Sequence, residues 1–127
     1  MKYKVAICVR TDIKMSAAKL AVQVAHACER NILNRTVYIL ESGDGEEEYI
    51  LNEYAKEGYP KVVLKVPDQA TIGKLANKAR DLGISSFIVT EFGLTEIEPD
   101  IVTCIAIGPM DQETSKKITG GLELYDL

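Results

Sequence analysis

Lys19, Gln23 and His26 fall at positions i, i+4 and i+7 of one stretch, a spacing that puts all three on one face of a helix. Arg10, Asp12 and Lys14 precede them, directly after the apolar run Val5–Val9. Such a cluster suits an anionic or hydrogen-bonding ligand. The same spacing also describes a solvated stripe opposite a core face, and on spacing alone that plainer reading is favoured. His26 is the single histidine of the chain. Without a patterned Asp or Ser partner it reads as a hydrogen-bonded structural residue before it reads as a general base.

A second constellation lies in Val89–Pro99. Glu91 ends an apolar run, and Gly93 permits a tight turn that aims Thr95 back towards it. A carboxylate beside a hydroxyl suits orienting water or polarising a carbonyl. A strand simply ending in solvent, with a threonine closing the turn, is the alternative.

The elements that must position these residues follow from periodicity. Tyr3–Arg10 is nearly continuous in apolar residues and suits a strand buried on both faces. Ser16 is an N-cap for a helix carrying Leu20, Val24, Ala27 and Ile32, expected to reach about Arg35. The glycines and glutamates of "ESGDGEEEY" give a loop and the acidic first turn of a second helix, running to Lys56 and stopping at Gly58. Lys61–Val66 is a strand, and a helix carrying Ile72, Leu75, Ala79 and Leu82 follows Pro67 and Asp68 and ends at Gly83. "ISSFIVTEF" and Ile101–Pro109 are two more strands, joined by a segment too short for a crossover helix and therefore antiparallel. Asp111–Lys117 is a short last helix, and "LELYDL" an exposed or edge-pairing tail. The expected architecture is one domain over 1–127, a three-layer α/β/α fold with a four-stranded mixed sheet. Ligands of such folds gather beyond the carboxyl ends of strands, which selects Arg10–Lys14, Pro67–Asp68, Glu91–Thr95 and Gly108–Pro109.

Composition bounds the function. A chain of 127 residues, 46% hydrophobic and 27% charged, is an ordinary globular domain able to bury its own core. A net charge of −4 argues against coating nucleic acid through a broad basic surface, though not against a local basic patch. Cys8, Cys28 and Cys104 are widely spaced in apolar surroundings and read as reduced core thiols, not disulfides or a zinc site. Phosphate-loop, dinucleotide, nucleophile-elbow and HExxH motifs are absent, so no cofactor or metal is indicated. Neither a signal-peptide core nor a run of roughly 18 apolar residues occurs, so a cytoplasmic protein is expected.

In order along the chain, "VRTDIKM", "KLAVQVAHA", "PKVVLKV", "GLTEIEP", "VTCIAIGP" and "KKITGGLEL" resemble the archaeal and eukaryotic type, the second class, of peptidyl-tRNA hydrolase. The resemblance covers nearly the whole chain except Val37–Gly58. It implies hydrolysis of the ester joining a peptide to the tRNA 3′ end, without cofactor, by a homodimer that binds the acceptor end of its substrate. It carries the family's active residues onto Lys19, Glu91 and Thr95, with Arg10, Asp12, Lys14, Gln23 and His26 as substrate-binding positions around the same cleft. On physical grounds Glu91 orients or deprotonates water, Thr95 holds that water or the carbonyl, and Lys19 stabilises charge developing on the carbonyl oxygen.

The chain departs from the family pattern in three places. Ser16, Ala17 and Ala18 replace a glycine-lined basic approach, Glu91 stands for an aspartate, and Leu94 and Glu96 replace arginine and glutamine. Fewer cations on the tRNA face mean fewer phosphates neutralised. The alternatives are a paralogue that keeps the cleft for another small ligand, and an interaction module using the Phe92–Leu94 turn or an exposed edge.

Overall fold

The computed structural model describes residues 1–91 and 101–126. Four strands, β1 (Lys4–Arg10), β2 (Lys61–Val66), β3 (Ser86–Glu91) and β4 (Ile101–Met110), form one sheet in the order β2-β1-β4-β3. β1 and β2 are parallel, while β4 runs antiparallel to both of its neighbours, β1 and β3. The mixed sheet and the antiparallel β3–β4 pair match the expectation from sequence.

Strand alternation sorts the core into two layers. Val5, Ile7, Val9, Val89, Cys104 and Ala106 point to one side, where α1 (Ala17–Ser42) and α2 (Gly45–Lys56) supply Ala27 and Tyr54. Ala6, Cys8, Ile105 and Ile107 point to the other. There they meet Ile72, Leu75 and Ala79 of α3 (Gln69–Asp81) and Ile118 of α4 (Gln112–Thr119). The result is the three-layer α/β/α arrangement. Each helix begins with a side-chain cap, from Ser16, Asp44, Asp68 and Asp111, that accepts the amide three residues on and satisfies one otherwise unpaired donor.

α1 is longer than its expected end at Arg35. Ile39 continues the buried face and is 8% exposed, and the first left-handed glycine, Gly43 at φ 69°, stops the helix by donating to the Ile39 carbonyl. The tail pairs with an edge, as one of its two readings had it. Lys65 donates to the Glu123 carbonyl and Tyr125 to the Val63 carbonyl, 2.9 Å each, so the tail covers the outer side of β2. Gly108–Pro109 does not join the other strand ends. β4 runs the opposite way, so its carboxyl end lies beside Lys4 and Ser85 at the far end of the sheet.

The register of β4 slips against β1 near Gly108. Gly108 has φ 128°, and a Cβ there would stand 2.7 Å from the Lys4 carbonyl oxygen; its own carbonyl accepts from buried Asn31 at 2.9 Å. Gly108→Ala is therefore expected to lower the unfolding free energy by about 1–3 kcal/mol, read by chemical denaturation. Burial pushes the Cys8 and Cys104 thiols up to about 12 from an ordinary 9.0. Unfolded thiols ionise near the ordinary value while the folded ones stay protonated, so stability declines as pH rises from about 9 to about 12. Replacing both cysteines by alanine flattens that decline in a pH series of unfolding curves.

Candidate active site

β1, β2 and β3 run in the same direction, so the ends of β1 and β3 bring Arg10 and Glu91 to one edge of the sheet. Glu91 is 6% exposed, despite closing its strand. The first turn of α1 crosses above it, and Lys19 Nζ reaches Glu91 Oε2 at 2.5 Å, with side-chain exposures of 9% and 7%. One turn further on, Gln23 Nε2 donates to the same Oε2 at 2.9 Å. Gln23 is itself held. Thr103 Oγ1 donates to its Oε1 at 2.8 Å, while the carboxylate, which only accepts, takes the NH₂ end of the amide.

Thr103 owes its position to a second slip in β4. The pairing passes from Val89↔Cys104 to Thr90↔Val102, leaving Thr103 as the extra residue. A bulge re-aims side chains. Here Thr103 and its neighbour Cys104 both contact Gln23, at the Oε1 and at the backbone carbonyl, although neighbours in a regular strand face opposite sides. The chain Thr103–Gln23–Glu91–Lys19 is thus a buried polar network in which one carboxylate oxygen receives an ammonium and an amide.

His26 lies on the same face of α1, exposed, and with Lys19 and Gln23 it lines a groove of about 760 Å³ between α1 and β3. The shared face read from the spacing is real, but it is no solvated stripe at its start, because Gln23 is 2% exposed. Arg10 and Asp12 are occupied with each other through two bonds of 2.8 and 2.9 Å. Arg10 also donates to the Val102 carbonyl at 3.0 Å and to Gln69 at 3.3 Å, so it braces the ends of β1 and β4. The Arg10 hydrogen bond holds the Asp12 carboxyl below its ordinary value. Lys14 is exposed in the β1–α1 loop and does not line the groove. Thr95, with Phe92, Leu94 and Glu96, lies outside the described residues. Among the described residues no three His, Cys, Asp or Glu side chains gather as a metal site, and no helix is long and apolar enough to cross a membrane.

One participant escapes sequence reasoning. Thr103 sits in a run that reads as uniformly apolar core. Its signal is an uncharged polar residue at a position whose period demands burial.

A three-layer α/β scaffold with a buried lysine–carboxylate pair at the mouth of a groove defines a small-domain site suited to polar chemistry on a bound ligand. The family model described as peptidyl-tRNA hydrolase PTH2 matches residues 3–125, and the chain belongs to that family. Among curated proteins it is 41% identical to a peptidyl-tRNA hydrolase of Sulfurisphaera tokodaii, over 98% of this chain and 99% of the relative. It is 43% identical to one of Methanopyrus kandleri, over 96% and 97%. With one of Thermococcus sibiricus it shares 39%, over 97% and 98%.

Proposed function

We propose that the chain hydrolyses the ester between a peptide and the 3′ end of tRNA, releasing both. The observation that carries this reading is the Lys19–Glu91 pair, enclosed by protein yet opening onto a groove, in a chain whose relatives bear that enzyme name along nearly their full length. No observation favours a paralogue turned to another ligand.

Glu91 takes the proton of an attacking water. Lys19 has three donors and spends one on Glu91, leaving others for the oxygen of the tetrahedral intermediate. Gln23 is a positioning residue, holding the carboxylate through the Thr103 bond. Thr95 completes the site by holding the water or the carbonyl, and His26 contacts substrate at the groove wall. Arg10 and Asp12 shape the tRNA-facing edge. In these terms the site is made of this chain's own side chains and takes no cofactor.

Lys14 is the cation offered to the acceptor-end phosphates. Lys14→Ala is expected to raise KM with kcat unchanged and to flatten the dependence of log(kcat/KM) on log salt by about one unit, read from initial rates across a salt series. We further propose a single domain over 1–127, working in the cytoplasm as a homodimer. A shallow apolar groove of about 470 Å³ along Leu20, Ala21, Val24 and Val63 supports self-association through the α1–β2 side; sedimentation equilibrium reads the mass.

The test of function is release of tRNA from N-acetylaminoacyl-tRNA by the purified chain, with Lys19→Ala and Thr95→Ala beside it. Rapid release by the wild type and loss in both variants supports the reading. Release at the rate of buffer alone by the wild type overturns it.

A further inference from the structure

β3 is the outer strand of the sheet on the side opposite the tail-covered β2 edge, and among the described residues it pairs with β4 alone. The Gly108 amide donates to the Ser85 carbonyl. By the alternation of an antiparallel ladder, Phe87 and Val89 then turn their backbone groups to β4, and Ser86 and Ile88 present theirs outward. An edge left unpaired among the described residues is a template for another strand. It is no distant feature. β3 ends at Glu91, and the groove of about 760 Å³ runs from Lys19 and Glu91 back along the strand to Phe87. Its α1 wall carries two exposed apolar side chains, Val22 at 47% and Leu33 at 54%. Arg30 stands over the Phe87 ring, 5.9 Å from its centre.

We propose that this edge is the subsite for the peptide moiety of the substrate, which adds to β3 as a further, parallel strand. The inference rests on the hydrolase reading and deepens it. With the ester at Glu91, the C-terminal end of the peptide lies at the C-terminal end of β3, so both chains run the same way. The six residues of β3 span about 20 Å, enough for about five residues of peptide. Peptides of differing sequence share only their backbone, and main-chain bonds to a sheet edge recognise that. The apolar groove floor then accepts alternate side chains without selecting one.

The experiment measures kcat/KM on tRNAs bearing N-acetylated peptides of one to about five alanines. Two or three added main-chain bonds predict a rise of about tenfold across the series. The rise should vanish when the peptide's backbone amides are N-methylated, a change made on the substrate that leaves the enzyme's folding untouched. Ile88→Pro removes an outward N–H without breaking the β4 ladder and should collapse the ratio between the longest and shortest substrates. A flat series, or one indifferent to N-methylation, overturns the proposal while hydrolysis of the one-residue substrate leaves the function standing. No hydrolysis of any member overturns both. If Ile88→Pro instead halves the sedimenting mass, the edge pairs with a second copy of the chain, and the peptide subsite is refuted.

Discussion

Replacing Glu91 by glutamine is expected to lower kcat on N-acetylaminoacyl-tRNA by about 10²–10⁴, the usual contribution of a positioned general base. The substitution keeps the shape of the side chain and an acceptor for Gln23 Nε2, which now donates to Oε2 at 2.9 Å. It removes only the charge and the basicity. KM should change little, because on the proposed reading Lys14 and the β3 edge, not Glu91, hold the phosphates and the peptide. A wild-type kcat in Glu91→Gln would move the base to another residue.

The second large effect is on stability as well as rate. Lys19→Ala leaves a carboxylate 7% exposed without its cation. Removing one partner of a buried ion pair costs about 3–5 kcal/mol, a large share of the stability of a domain this size. Denaturant midpoints should fall accordingly, and kcat should fall by about 10²–10³ through loss of the oxyanion donor. Lys19→Met/Glu91→Gln removes both charges at similar volume and should recover most of that stability while remaining inactive. The contrast between the single and the double substitution separates a catalytic pair from a structural one.

How far the sequence reached can be followed residue by residue. Lys19, Gln23 and His26 share a face because helical period is local, and Glu91 closes a strand because its apolar run is local too. That Lys19 meets Glu91 is not local: it requires α1 to cross the end of β3, and it was reached through a family resemblance, not through spacing. Thr103 was out of reach. Its role depends on a one-residue slip between β3 and β4, and a slip changes which face a side chain takes without altering the apolar pattern that announces the strand. Arg10 and Asp12 illustrate a different limit. Their charges read as ligand-facing, and nothing in their types announces that they bond each other while Arg10 also reaches Val102 and Gln69.

The bulge also explains why a buried ion pair is tolerated beneath a groove. Burying two charges is costly unless their remaining bonding capacity is met. The Gln23 amide, itself held by Thr103, supplies part of that capacity.

The central claim is that the Lys19–Glu91 pair performs the hydrolysis. Its most direct test is the single-turnover rate of tRNA release from N-acetylaminoacyl-tRNA by Lys19→Met/Glu91→Gln, on protein shown to unfold cooperatively. The pair's role predicts a rate at least about 10⁴ below wild type, the product of the smallest expected losses of base and oxyanion donor. A folded double variant that releases tRNA within about tenfold of the wild-type rate would contradict it.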